Sequence, residues 1–267
     1  MDNIFRIAHY GLHYGEEPII SGTSGSGTVF FSGCNMHCVY CQNYVVSQQR
    51  KGKLITGSQL LDIFAQLQDM GAHNINLVTP TPYIRLLIDV LRKAKQFLTI
   101  PIVYNTSSYE YVTYLSQLDG LVDVYLADIK YYDNDLAIKY SQAPDYFDIA
   151  TQSVSLMRSQ QPQDIIVDGI MKKGLIIRHL TLPHYKEDSK CILDWIANFD
   201  SLCFVSLMSQ YVPCGKAHEY APLNDKVSSS QYKQLVNYMY DLGLTNGYTQ
   251  QPSSATTEYI PHFNQID

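Results

Sequence analysis

The chain has 267 residues, 46% of them hydrophobic, and a formal net charge of −6, which is enough apolar content for a large core and suits a single α/β barrel domain. Its 19 lysines and arginines are scattered instead of forming a stripe, which argues against a nucleic-acid partner. No apolar run approaches the roughly 20 residues needed to span a bilayer, which argues against a membrane span. The opening Met1-Asp2-Asn3-Ile4-Phe5-Arg6 lacks the basic start and apolar run of a signal peptide, so a reducing cytoplasm without disulfides is expected.

In chain order, short apolar runs alternate with helical patterns. The runs predict strands over Thr28 to Ser32, Ile75 to Thr79, Pro101 to Tyr104, Val122 to Ala127, Leu175 to Leu182 and Leu202 to Met208. After the first, Thr56 and Gln59 read as a capping box, Leu60, Phe64 and Leu67 as one helical face, and Gly71 as the stop. Ile84, Leu87, Ile88 and Leu91 mark the second helix, Ser107 with Glu110 reads as the cap of the third, and Ile192, Trp195, Ile196 and Phe199 line another. Tyr232, Leu235, Val236, Met239 and Leu242 form the last. Strand followed by helix six times implies parallel pairing through right-handed crossovers, hence an α/β fold: an open partial (β/α)6 barrel of TIM type. The barrel is expected over residues 28–245, with 1–27 as an N-terminal extension and 246–267 as a tail packed on it. The 22 tyrosines are expected half-buried at element ends with the hydroxyl in water.

Chemistry in such barrels gathers at the carboxyl ends of the strands. The first strand runs into Cys34-Asn35-Met36-His37-Cys38-Val39-Tyr40-Cys41, the second into Thr79-Pro80-Thr81-Pro82-Tyr83, and the third into Asn105-Thr106-Ser107-Ser108. The fourth runs into Asp128-Ile129-Lys130, the fifth carries Arg178 and His179 and ends at Pro183-His184, and the sixth meets Ser209-Gln210-Tyr211. Cys34, Cys38 and Cys41 are three thiols at C-x3-C-x2-C spacing. Metal sites held wholly by protein need four N or S ligands, so three leave one position open for substrate or cofactor. A structural zinc knuckle completed by His37 or a distant cysteine stays open as the alternative. Cys191, Cys203 and Cys214 read as packed small hydrophobes more than as an auxiliary cluster; Cys214 stands out because Val212-Pro213-Cys214-Gly215 follows the sixth strand. His9 and His13 read as part of an N-terminal arm more than as a cover over the barrel mouth.

The cysteine spacing resembles the signature of radical S-adenosylmethionine (radical SAM) enzymes. Gly25-Ser26-Gly27-Thr28-Val29-Phe30-Phe31-Ser32-Gly33-Cys34, Leu77-Val78-Thr79-Pro80-Thr81-Pro82-Tyr83, Tyr125-Leu126-Ala127-Asp128-Ile129-Lys130 and Ile176-Ile177-Arg178-His179 are similar to the PflX-type branch, related to pyruvate formate-lyase (glycyl-radical enzyme) activating enzymes. The resemblance implies a 4Fe-4S cluster on Cys34, Cys38 and Cys41 whose fourth iron binds S-adenosylmethionine, and reductive cleavage of that cofactor to a 5'-deoxyadenosyl radical that abstracts hydrogen. It implies a low-potential electron donor such as flavodoxin or ferredoxin, and a glycyl-radical enzyme as partner. Hydrogen abstraction from a small molecule or another protein residue, and a non-enzymatic iron-sulfur or zinc protein, remain alternatives. Carried over by position, Tyr40 lies near the adenine, Asp128 and Lys130 match a D-x-K motif near the cofactor's methionyl end, Arg178 has a similar duty toward the cofactor carboxylate, and Asn105 and Thr106 are polar groups beside the cofactor. Activating enzymes usually follow the second strand with Gly-Gly-Glu. Here Thr79-Pro80-Thr81 stands in its place without a carboxylate, so Thr79, Thr81 and backbone carbonyls are expected to receive the cofactor's ammonium.

Overall fold

The computed structural model describes residues 3–250. In chain order the main elements are β1 (Ile4–His13), α1 (Pro18–Ser21), β2 (Ser26–Phe31), α2 (Tyr44–Ser47), β3 (Lys53–Thr56), α3 (Gly57–Asp69), β4 (Ile75–Val78) and α4 (Ile84–Ala94). They continue with β5 (Ile102–Thr106), α5 (Val112–Leu115), β6 (Val124–Asp128), α6 (Asn134–Ser141), α7 (Tyr146–Gln160), β7 (Ile165–Val167), β8 (Ile170–Leu180), α8 (Lys186–Phe199), β9 (Phe204–Met208), α9 (Ser229–Asp241) and β10 (Gly247–Thr249). One sheet runs β10-β9-β8-β6-β5-β4-β2-β1-β3, with β7 folded antiparallel against β8. From β2 to β9 neighbours are parallel. The sheet curls without closing, because its two outer strands, β10 and β3, do not meet. This is the expected open α/β partial barrel.

The six expected strands correspond to β2, β4, β5, β6, β8 and β9. The sheet is wider than the sequence suggested. β1 lies antiparallel on β2 and β3 antiparallel on β1, so His9 and His13 belong to a strand and not to a loose arm. β10, in the segment read as a tail, pairs with β9; the rest of that segment lies outside the described residues. No helix among them is long and apolar enough to cross a membrane.

Two layers form inside the barrel, because strand residues two apart share a face. Val103, Val124, Leu126 and Ile176 pack with Ile19 and Ile20 of α1, which stops the bottom of the barrel. One step further along the same strands stand Asn105, Asp128 and Arg178, so the floor of the mouth is polar. The opposite faces of the strands pack beneath the helices in a large apolar cluster that includes Leu60 and Phe64 of α3, Leu87 and Leu91 of α4, Ile192 and Ile196 of α8, and Leu235 and Met239 of α9. Thr56 and Gln59 form the expected capping box: each backbone N–H donates to the other's side-chain oxygen, at 2.9 and 3.2 Å.

Two sequence readings are corrected. Ser107 and Glu110 cap no helix. The helix that follows begins only at Val112, after Tyr111 with no side-chain cap, and Glu110 is bound elsewhere. Nor do the tyrosines all keep their hydroxyls in water: Tyr104, Tyr125, Tyr131, Tyr140, Tyr146 and Tyr211 are fully buried. Their hydroxyls are satisfied by one another and by nearby groups, which lets a polar tip be buried without the penalty of a lost hydrogen bond.

Candidate active site

A cavity of about 270 Å³ opens at the carboxyl ends of the strands. Its wall includes Cys34, Cys38, Tyr40 and Cys41 from the loop after β2, Val78 and Thr79 from β4, and Asn105 and Thr106 from β5. Asp128, Lys130, Arg178, Met208 and Gln210 come from the later strands and the turns just past them, His13 from the end of β1, and Gly15 and Glu16 from the segment after it. Of the residues that the sequence assigned to the cluster or the cofactor, all but Thr81 line it.

The cysteine loop is fixed from several sides. Gly33, at φ +94°, turns the chain out of β2, and its N–H donates to Val46 O at 3.0 Å; a side chain here would be strained. His37 N–H and Val39 N–H donate to the carbonyls of Ser141 and Tyr140. Lys216 N–H donates to Val39 O at 2.7 Å, and a Cβ at Gly215 would stand 2.9 Å from the same oxygen. Cys214 is therefore packed beside the loop, whereas Cys203 is a buried core residue. His37 pairs with Gln48 Oε1 at 2.6 Å through Nδ1. No three His, Cys, Asp or Glu side chains among the described residues converge as ligands of one metal ion.

Burial pushes the Cys34 thiol up to about 12 and the Cys38 thiol up to about 11, and it also raises Cys41. Three thiolates in such a place need a cation, and metal binding supplies one as the protons leave. Lys130 lowers all three. The Ser141 hydroxyl donates to Cys38 Sγ at 3.0 Å. Beyond it, Ser141 Oγ meets Tyr131 OH at 2.6 Å, and Tyr131 OH meets Tyr40 OH at 2.7 Å. The donor set and its surroundings fit an iron-sulfur cluster with one iron left open, since three thiols on one loop would hold three of four irons. Tyr40 presents its ring to the cavity while its hydroxyl belongs to the interior.

Arg178 is the hub of the polar floor. Nε donates to Asp128 Oδ1 at 2.7 Å, Nη1 to Glu16 Oε2 at 3.0 Å and Nη2 to Asn105 Oδ1 at 2.6 Å. The guanidinium is thus largely engaged by the protein's own oxygens, so its first duty is to hold Asp128, Asn105 and Glu16. Lys130 Nζ donates to Asp128 Oδ2 at 2.7 Å and keeps two N–H groups free for the cavity. Burial alone would raise Asp128, but Arg178 and Lys130 outweigh it and hold the carboxyl below its usual value. Burial would lower Lys130, and Asp128 and Cys38 overcome it, so the ammonium stays charged.

Glu16 was not read from the sequence. Its Oε1 accepts from Asn76 Nδ2 at 3.0 Å and Asn105 Nδ2 at 3.2 Å; the partners lie 60 and 89 positions away, so no local pattern marks it. Burial favours the protonated form of its neighbour Glu17, although Arg178 opposes this.

The loop after β4 departs from expectation. Thr79 lines the cavity in the left-handed region at φ +57°, and its N–H donates to Asn105 O at 2.9 Å. Thr81 is turned away from the cavity, and its hydroxyl donates to Glu110 Oε1 at 2.6 Å. The segment itself contains no carboxylate, and the one that Thr81 meets, Glu110, comes from 29 positions further on. His179 is no site residue. It is wholly buried, with Nδ1 donating to Ile129 O at 2.8 Å and Nε2 accepting from Ser189 at 2.9 Å, and burial lowers its pKa to about 4, so it is a neutral structural histidine.

Known proteins place this geometry in a family. The chain is 30% identical over 235 residues to an uncharacterized protein of Methanocaldococcus jannaschii, across 84% of this chain and 64% of that one, so it spans less than two thirds of that relative's length. The fold is similar to methylornithine synthase, with a TM-score of 0.56 at 14% identity over 83% of this chain and 63% of the other. It is also similar to a spore photoproduct lyase variant, at 0.55 and 13% over 82% and 74%, and to anSMEcpe solved with bound AdoMet, at 0.51 and 13% over 79% and 57%. At such identities these structures speak for the fold alone. Residues 28–171, more than half of the chain and including the three cysteines and Lys130, match the radical SAM superfamily, and the chain belongs to that superfamily.

Proposed function

We propose that this protein binds a 4Fe-4S cluster through Cys34, Cys38 and Cys41 and cleaves S-adenosylmethionine reductively, for hydrogen abstraction from a substrate. The observation that carries the reading is the single cavity wall shared by the three thiols, Lys130 and Thr79. When bound, the cluster supplies the electron and the open iron, and the cofactor supplies the radical. The chain's own residues do the rest. Lys130 offers two N–H donors to a carboxylate in a partly dry site, where an unpaired charge would be expensive. Asp128 holds that lysine in place, and Arg178 holds Asp128. Tyr40 gives an aromatic wall beside the loop, and Met208, Val78 and Phe30 exclude water.

The electron donor in this proposal is an acidic low-potential carrier such as flavodoxin or ferredoxin. Between Glu17 and Asp62 the sequence contains no acidic residue, while Arg50, Lys51 and Lys53 are exposed there. The Nε of Arg50 lies 4.0 Å from where a Cβ on Gly33 would stand, next to Cys34. A cationic surface beside the redox centre of an acidic protein would favour an anionic partner. The proposed target is a backbone glycine of a partner enzyme, supported by the Asp128-x-Lys130 element alone.

The test is anaerobic reconstitution. About four irons per chain and release of 5'-deoxyadenosine from S-adenosylmethionine under reduction are expected, both lost on changing Cys34, Cys38 or Cys41 to Ala. One zinc per chain and no iron uptake would refute the reading. Formation of a glycyl radical on an added partner, followed by electron paramagnetic resonance, tests the target.

A further inference from the structure

Two acids stand on the cavity wall, Asp128 and Glu16, and their surroundings differ. Asp128 has a cation on each oxygen: Arg178 Nε donates to Oδ1 and Lys130 Nζ to Oδ2, both at 2.7 Å. Glu16 has one. Arg178 Nη1 donates to its Oε2 at 3.0 Å, while its Oε1 accepts only from neutral amides, Asn76 Nδ2 at 3.0 Å and Asn105 Nδ2 at 3.2 Å. A carboxylate has about four acceptor positions, and these three bonds leave one open on Oε2. The Glu16 side chain is 12% exposed, and its partners Asn105 and Arg178 line the same cavity, so the exposure it keeps is toward that space.

The carboxylate is held there from several sides. Glu16 N–H donates to Ser21 Oγ at 3.1 Å, and that hydroxyl donates to His13 O at 3.3 Å, which ties the segment after β1 to α1. Arginine can only donate, so Arg178 Nη2, at 2.6 Å from Asn105 Oδ1, fixes that amide with Nδ2 toward Glu16. Asn105 O in turn accepts from Thr79 N–H at 2.9 Å, so a single residue joins the acid to the loop after β4. His13 lines the cavity too, but burial favours its neutral form and it adds no competing charge.

The cavity therefore has two poles, free N–H donors on Lys130 and an open acceptor on Glu16, with Asp128 and Arg178 bonded to each other between them. An amino-acid head carries the complementary pair, a carboxylate and an amine. An amine at Asp128 would meet two cations already on that carboxyl, whereas at Glu16 it meets one, whose charge is delocalised and shared with Asp128. We infer that Glu16 receives the amine of S-adenosylmethionine through the open position on Oε2, with Thr79 supplying neutral acceptors beside it. This rests on the reading that the cavity takes that ligand.

The experiment is calorimetric titration of the anaerobically reconstituted full chain, as wild type and as Glu16→Gln, with two ligands: S-adenosylmethionine and its analogue in which hydrogen replaces the methionyl amine. Loss of one charge-assisted bond should weaken S-adenosylmethionine roughly tenfold to a hundredfold in Glu16→Gln. The analogue has no amine to hold, so both proteins should bind it equally well. A residue that only braced Asn105 and Arg178 would weaken both ligands alike. That result overturns the inference, as does wild-type affinity for S-adenosylmethionine in the variant. Glu16→Gln sets an amide against Arg178 Nη1 and can fail to fold, in which case a structure of the wild type with the ligand bound decides. The methionyl nitrogen is expected within about 3.2 Å of Glu16 Oε2, and a nitrogen held by Thr79 and backbone carbonyls alone overturns the inference while leaving the cofactor reading in place. A wild type that binds no S-adenosylmethionine overturns that reading, and this inference with it.

Discussion

Replacing Arg178 with Met separates two roles the residue could have. If it serves mainly to neutralise a bound carboxylate, the ligand-free protein should hardly notice its loss. The structure says otherwise, because the guanidinium bonds Asp128, Glu16 and Asn105 at 2.6–3.0 Å and its side chain is only 10% exposed. Met fills much of the same volume but leaves Glu16 with no cation bonded to it and Asp128 with Lys130 alone. Removing one partner of a buried pair costs about 3–5 kcal/mol, because the remaining charge stays behind desolvated. In a domain of this size each kcal/mol shifts the midpoint by roughly 2–4 °C, so a fall on the order of 10 °C is expected. Circular dichroism of the ligand-free chain during heating measures it. Adding Asp128→Asn to Arg178→Met should cost less than the sum of the two single changes, by about 1 kcal/mol or more, because the second change removes a charge the first left exposed to repulsion. An unchanged midpoint in Arg178→Met would refute the assignment of Arg178 as the hub of the floor.

Lys130→Ala should leave cluster assembly intact and weaken S-adenosylmethionine roughly tenfold to a hundredfold, since one charge-assisted contact is worth about 1.5–3 kcal/mol; calorimetric titration showing wild-type affinity would mean that the cofactor lies elsewhere. Ser141→Ala removes the hydroxyl that donates to Cys38 Sγ at 3.0 Å. Donors to cluster sulfurs favour the more reduced, more negative state, so a redox titration should find a lower potential with iron content unchanged, and an unshifted potential would rule out that contact as a tuning element.

How much was legible depended on where each residue's partners lie in the chain. The six parallel strands were readable because both faces of such strands are covered, which writes them as continuous apolar runs. Their observed ends fall within a few residues of expectation, the largest difference being β8, which starts at Ile170 where Leu175 was expected. β1 was missed because it is an antiparallel strand between β2 and β3 whose sequence, Ile4-Phe5-Arg6-Ile7-Ala8-His9-Tyr10-Gly11-Leu12-His13, keeps no clean alternation; a bulge between Ile7 and His9 shifts its register. β10 has three residues, too few for any periodicity to show. Its pairing with β9 is a decision of the tertiary fold.

The same distinction sorts the site. Three cysteines in eight residues and an acid two positions from a lysine declare their chemistry locally, because a loop or a strand end delivers neighbouring side chains to one place. The glutamates do not. Ser107-Ser108-Tyr109-Glu110 satisfies the S-x-x-E pattern of a capping box, and nothing in those four residues says that no helix will start there. What overrides the pattern is competition for the carboxyl: a cap would have offered it one backbone N–H in water, whereas Thr81, Tyr104 and Thr106 offer three hydroxyls in a low-dielectric interior, where each bond is stronger. Glu16 is the parallel case, with Asn76, Asn105 and Arg178 arriving from three strands. An acid whose partners come from several strands can be recognised only after the barrel is assembled. Such acids set the charge of this mouth without showing in any motif.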